Sequence, residues 1–228
     1  MPRILFELSH LESPFVWRSK FALASKGLEY QPQKLNFTNI SKVFDGRSQT
    51  VPVLKEEDGT EVPDTWAISE YLDQAYPDTP PLLDGANEAR AREIDEIVSS
   101  AVFPAFFPIY VHDIWACLPE DQGNYFRESR EARFGMTLEE MSANREARLP
   151  DARDAIQPLR DAFGGRPWLH GDTPAYGDYI ALAFFVWIKS VAKVPPLAAG
   201  DPLLDWIDRG FSIYDGVATA VEGGPLAT

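Results

Sequence analysis

Three short signals in the first 65 residues place polar groups where a ligand could be held. Ser13 precedes Pro14-Phe15, so its hydroxyl stands at the start of a helix. An N-cap serine followed by proline at N1 is also an ordinary way to open a helix. Val51 precedes Pro52 at the entry to a strand, a position proline tolerates because it lacks only an expendable donor. A cis bond there would leave the Val51 N–H and C=O facing outward, free to pair with an extended peptide. Asp64-Thr65 opens a third segment and can simply cap it. It can also offer more, because a helix N-terminus carries free N–H groups and positive dipole. Thr65 would then hold a ligand carboxylate while Asp64 accepts from a ligand ammonium.

A fourth stretch, "FPAFFPIYVHDIW", presents Phe103, Phe106, Phe107, Tyr110 and Trp115. This is more aromatic surface than one helix face needs for packing. Part of it is expected to line an apolar pocket suited to an aromatic ligand, chiefly Phe103, Phe107 and Tyr110 together with Phe15. His112 reads as a surface residue. Arg18 and Lys20 are expected to be solvated or paired with acids such as Glu70 or Asp73.

These groups need a scaffold. "RILFEL" reads as a strand, followed by a helix from Pro14 that stops at Lys26-Gly27. "LEYQPQKL" is a second strand, confined to an edge by Pro32. "FTNISKVFDG" is a short helix capped by Thr38, and Pro52–Leu54 with Thr60–Val62 form a hairpin around Asp58-Gly59. Ile68, Tyr71, Leu72 and Ala75 then follow the helical template. The order is β-α-β-α-β-β-α.

Prolines cluster from Pro77 onward, and beyond them everything is helix or loop. We expect domains at 1–78 and 89–228 joined by a linker at 79–88. Glu88–Trp115 should be one long helix kinked near Pro104 and Pro108. "TLEE" at Thr137–Glu140 is a capping box, Asp178–Val191 is apolar on all sides, and Asp201-Pro202 opens a last helix.

Composition narrows the partners. The 228 residues carry a net charge of −14, which argues against nucleic acid and against anionic membrane surfaces. Cys117 is the single cysteine, so neither an internal disulfide nor a C-x-x-C pair exists. His10, His112 and His170 show no zinc-ligand spacing, and no metal is expected. The N-terminus lacks the apolar core of a secretory signal, and no apolar run reaches ~18 residues. A cytoplasmic protein is the expectation.

Strand, Ser-Pro-Phe helix, Val-Pro strand, hairpin, Asp-Thr helix, linker and helical domain, in that order, resemble the glutathione transferases along essentially the whole chain. The resemblance implies an α/β thioredoxin-like N-terminal domain plus an all-α C-terminal helical bundle, and glutathione as co-substrate. Val51 would pair with the cysteinyl backbone of glutathione. Asp64 and Thr65 would hold its γ-glutamyl end, and Ser13 would face the sulfur. No tyrosine precedes Tyr30, unlike members with a catalytic tyrosine, and serine replaces the cysteine of omega-type members. Serine there is similar to the tau-type arrangement. "SPFVWRSKFALASKG", "GRSQTVPVL", "DTWAISEYLDQAYPD" and "YFRESREARFGMTLEE" resemble the β-etherase-type enzymes of lignin-degrading bacteria and the etherase-like class of wood-decay fungi. "GDTPAYGDYIALAFFVWIK" does so too. It departs in one place, because Ala175 stands where the family has a serine or threonine capping partner for Asp178.

The implied chemistry is attack by a glutathione thiolate on an aromatic electrophile, as conjugation or as cleavage of a β-aryl ether. Lowering a thiol pKa by about two units takes roughly 2.7 kcal/mol. One hydrogen bond to the anion supplies ~1.5–3 kcal/mol, and a helix N-terminus ~0.3–1. A homodimer is implied by the resemblance alone. The competing reading is a non-catalytic carrier of small aromatic ligands on the same fold. More distant is an assembly module without a working glutathione site.

Overall fold

The computed structural model describes residues 2–228. The element order begins β1 (Ile4–Leu8), α1 (Pro14–Ser25), β2 (Gln31–Leu35), α2 (Ile40–Val43), β3 (Val53–Lys55), β4 (Glu61–Pro63) and α3 (Thr65–Ala75). The sheet runs β2-β1-β3-β4, with β1 and β2 parallel and the other two pairings antiparallel. This is the thioredoxin-like α/β unit. Pro32 lies on the edge strand, as its missing N–H requires. Lys26 closes α1 and Gly27 follows at φ 66°, a left-handed turn that glycine adopts without steric cost.

Two local expectations shift. α2 starts at Ile40 after Asn39, and Thr38 does not cap it; the Thr38 hydroxyl instead accepts from Gln122 at 3.4 Å. Along α3 the buried side is Thr65, Ile68, Ser69 and Leu72, whereas Ala75 is exposed.

The second half is all-helical: α4 (Gly85–Ile97), α5 (Phe103–Ala116), α6 (Glu120–Phe134), α7 (Leu138–Ser142), α8 (Arg145–Asp154), α9 (Gln157–Phe163), α10 (Tyr176–Val191) and α11 (Leu204–Gly216). A π-helical turn, Val98–Val102, joins α4 to α5, so the break falls just before Pro104, and Pro108 sits inside α5. Gly85–Ala116 thus runs for 32 residues and is long and apolar enough to cross a membrane by length and composition. Ile94, Val98, Val102, Phe106 and Ile109 along it are buried in the core of this fold. "YFRESREARF" forms most of α6. The Thr137–Glu140 box is formed, with Thr137 Oγ1 accepting the Glu140 N–H.

α10 is the axle of the molecule, with fourteen of its sixteen residues buried. α1 packs directly on it, and Phe21 stacks on Tyr179 at 5.8 Å between centroids. The connection after α3 is pinned: the Asp73 carboxylate accepts the Leu82 and Leu83 N–H groups, and the buried Lys26 ammonium bonds Asp73 and the Pro80 carbonyl. These bonds fix the course of the connection against α1 and α3.

Candidate active site

β1 ends at Leu8, and the chain crosses to Pro14 through residues that line one cleft of about 530 Å³. Ser13, Val51, Pro52, Asp64 and Thr65 all border it, although they come from three separated parts of the chain. The common cause is topological. The start of α1, the entry to β3 and the start of α3 lie at the same end of the sheet.

Ser13 occupies the N-cap position of α1, yet its hydroxyl makes no capping bond. Its carbonyl accepts the Trp17 N–H at 3.0 Å, leaving Oγ free to serve the cleft. No acidic residue occupies the first turn, so the positive end of the helix is not offset from within. Glu12 is the nearest carboxylate in sequence; it borders the cleft but is engaged by other groups. It accepts the Trp17 indole N–H at 2.5 Å, with the Lys20 ammonium 3.7 Å away.

The Val51-Pro52 bond is cis, and neither the N–H nor the C=O of Val51 has a partner among the described residues. The Pro52 carbonyl accepts from Asp64 N at 3.3 Å, which ties the second feature to the third. Asp64 has φ 74° and ψ 145°, a region that side chains other than glycine's rarely adopt. Its Oδ1 accepts the N–H groups of Trp66 and Ala67, so one oxygen holds the helix while the other remains available. Thr65 is buried, and its carbonyl accepts from Ser69 Oγ and Tyr176 OH, both at 2.9 Å.

The helical half supplies the opposite wall. Phe103 stacks on Trp187 at 5.0 Å and on Phe107 at 5.5 Å, and all three rings border the cleft. Phe15 borders it too, 45% exposed despite its aromatic ring. Tyr110 does not. It is fully buried and donates to the Val194 carbonyl at 2.9 Å, so the expectation of a pocket residue is corrected to a core residue. Seven residues beyond Phe103 it shares that face, but ~10 Å farther along the axis. There the chain around Val194 covers it. Phe106 is likewise core.

Arg18 and Lys20 are paired, though not with the acids expected from sequence. Arg18 bonds Asp95 across the domain boundary at 2.9 Å, and Lys20 bonds Glu7 at 2.6 Å. His112 is half-exposed beside Glu139. Sequence reasoning missed Gln49, Phe37 and Trp187, and it also missed Arg130 and Arg133, which border the cleft from α6. The arginines lay inside a stretch noted for its family likeness, but nothing in their spacing marks which side of α6 they occupy.

Residues 8–80 match the model of the glutathione S-transferase N-terminal domain, and residues 90–195 match that of the C-terminal domain. A probable glutathione S-transferase GSTU1 of Oryza sativa subsp. indica is 27% identical over 188 residues, spanning 79% of this chain and 72% of the relative. Among solved structures, glutathione transferase GSTFuA2 of Phanerochaete chrysosporium is 25% identical at a TM-score of 0.75, covering 98% of this chain and 100% of that one. The glutathione S-transferase CsGST63524 of Ceriporiopsis subvermispora, solved in complex with glutathione, has a TM-score of 0.78 at 23% identity. It covers 96% of this chain and 94% of that one, a likeness of fold.

Proposed function

The chain belongs to the glutathione S-transferase superfamily, and on that premise we propose that it is a serine-type enzyme using glutathione against aromatic electrophiles. The observation that carries the reading is the Ser13 hydroxyl: it stands at a helix start, makes no capping bond, and borders the same cleft as Val51, Asp64 and Thr65.

In this reading Val51 pairs through its free N–H and C=O with the cysteinyl residue of glutathione. Thr65 and the start of α3 receive the γ-glutamyl carboxylate, and Asp64 accepts from the ammonium. The sulfur then lies at the start of α1, where Ser13 Oγ–H donates to it. The thiol proton leaves to solvent and the thiolate remains. Phe15, Phe103 and Phe107 hold the electrophile's ring. The thiolate forms a carbon–sulfur bond while the bond to the leaving group breaks. That group departs with the electron pair, as halide in conjugation or as phenoxide in β-aryl ether cleavage. The second outcome would place the chain with the β-etherase-like members. A homodimer is implied by the same resemblance, and a cytoplasmic location remains the expectation drawn from the sequence.

Calorimetric titration with reduced glutathione, on wild type and on Ser13→Ala in buffers of different ionisation enthalpy, tests the reading. It expects saturable binding with proton release in the wild type and loss of the proton release in the variant. Absence of glutathione binding by the wild type would overturn it.

A further inference from the structure

Arg130 and Arg133 are set apart from the other arginines. Arg3, Arg18, Arg47, Arg90, Arg92, Arg127, Arg145 and Arg160 bond carboxylates. Arg148, Arg153, Arg166 and Arg209 bond backbone carbonyls. Among the described residues only Arg130 and Arg133 bond neither, in a chain with 35 acidic side chains against 21 basic ones. Arg130 reaches only the Ser129 hydroxyl, at 2.8 Å, and lies over the Phe126 ring at 4.6 Å. Arg133 lies over Phe134 at 5.5 Å.

Three residues apart on α6, the two guanidiniums are neighbours on one helix face. Arg130 is half-buried, and burial together with the Arg133 charge pushes its pKa below the usual guanidinium value. A guanidinium stays charged under such pressure. Two adjacent cations without a counter-charge, Arg130 half-buried and Arg133 exposed, repel each other, and an anion that enters between them is attracted by both.

Their location identifies the anion's carrier. Both arginines border the cleft and also an adjoining aromatic hollow of about 460 Å³. Phe15, Phe103, Phe107 and Phe134 wall that hollow, and none of Ser13, Val51, Asp64 or Thr65 reaches it. We infer that the second substrate is an aromatic acid, its ring among these phenylalanines and its anionic group held by Arg130 and Arg133. This rests on the transferase reading for the reaction but not for the binding. In a chain of net charge −14, only a local positive site would draw such a ligand in.

The test separates the two. Naphthalene-2-carboxylate and its neutral carboxamide are titrated without glutathione against the wild type and the Arg130→Gln/Arg133→Gln variant, read by tryptophan fluorescence. The carboxylate should bind the wild type at least tenfold more tightly than the carboxamide. The variant should lose that preference while keeping its carboxamide affinity, which shows that the hollow is intact. Equal affinities in the wild type, or a preference that survives the substitutions, would overturn the inference. A parallel titration with glutathione covers the other source of carboxylate. A variant weakened tenfold for glutathione but unchanged for the naphthalene pair would assign the arginines to the peptide and overturn it as well. None of these outcomes depends on turnover.

Discussion

The Tyr176 hydroxyl donates to the Thr65 carbonyl at 2.9 Å, joining the start of the buried helix α10 to the start of α3. Tyr176 is fully buried, and the bond spans 111 residues of sequence. One residue of the candidate ligand site is therefore positioned by the core of the other domain. The edge-on contact of Trp66 with the Tyr176 ring, 5.3 Å between centroids, reinforces the same junction.

Tyr176→Phe removes this bond and keeps the ring. The Thr65 carbonyl retains its bond from Ser69, so the stability cost should be about 1 kcal/mol, or ~2–4 °C in melting temperature. With Thr65 less firmly held, KM for glutathione should rise a few-fold while kcat stays near wild type. Steady-state kinetics beside thermal unfolding check this.

Ser13→Ala should separate stability from chemistry. N-cap serine normally contributes about 1 kcal/mol, but the Ser13 hydroxyl makes no capping bond here. The melting temperature should hold within a degree or so of wild type. Loss of a hydrogen bond to the thiolate, worth ~1.5–3 kcal/mol, should lower kcat/KM by about 10- to 150-fold and raise the thiol's apparent pKa. The ultraviolet absorbance of bound thiolate against pH reads the second effect directly.

Asp64→Asn keeps an oxygen to accept the Trp66 and Ala67 N–H groups and tolerates positive φ better than most residues. Stability should stay within about 0.5 kcal/mol of wild type. The ammonium of glutathione loses its counter-charge, and at this exposed position the affinity should fall about tenfold, at the low end for a charged bond. Titration with glutathione and with its deaminated analogue distinguishes this from a general loss.

The features that sequence located well were those with local causes. Pro14, Pro52 and Asp64 each fix a segment start, and α1, β3 and α3 begin within a residue of the positions these imply. That the three converge on one cleft was legible through family resemblance, since convergence depends on strand order. What sequence could not supply was position across the fold. Phe103 and Tyr110 share a helix face, but only the packing of the chain around Val194 decides that one is pocket and the other core. Arg18 found Asp95, 77 positions away, rather than a nearer acid, because α1 docks against the helical domain. The free state of Arg130 and Arg133 is likewise a property of what their surroundings lack, and no local pattern encodes that.

His170 gives a pH dependence with a definite sign. Its Nε2 accepts the Gly177 N–H at 3.1 Å, which requires the unprotonated nitrogen, and Nδ1 faces Asn87 Oδ1 at 3.2 Å. Burial, then the Arg90 and Arg166 charges, press its pKa down to about 4. A folded pKa below the unfolded value of about 6.5 means stability present above pH 6.5 and lost as pH falls toward 4. Allowing for its remaining exposure, the loss should be roughly 1–2 kcal/mol. Asp178, which burial pushes up to about 6, acts in the opposite sense, favouring the native state as it takes up its proton. The informative quantity is therefore the difference between wild type and His170→Gln in denaturant unfolding. Wild type minus variant should fall by roughly 1–2 kcal/mol between pH 6.5 and 4 and be flat above 7.

Ala175 offers the converse experiment, a gain. The Asp178 carboxylate accepts the Ala175 N–H at 3.1 Å, the Leu169 N–H at 2.8 Å and the Trp206 indole N–H at 3.1 Å. Half of a reciprocal cap is thus present, with Asp178 acting from the third helical position. The other half needs a side-chain oxygen on residue 175, which alanine lacks; the helix forms nonetheless because tertiary burial supports it. Ala175 already has the extended backbone of a cap, φ −140° and ψ −173°, so Ala175→Ser asks for no rearrangement. The Asp178 N–H already donates to the Ala175 carbonyl at 2.9 Å, so a serine hydroxyl sharing it should stabilise the protein by about 0.5 kcal/mol, the low end for a cap, raising the melting temperature by ~1–2 °C. Because α10 carries Tyr176 at its first turn, the same substitution should firm the Tyr176–Thr65 junction and leave KM for glutathione unchanged or slightly lower. A melting temperature that does not rise, or that falls, would mean that the hydroxyl finds no room beside the Asp178 carboxylate.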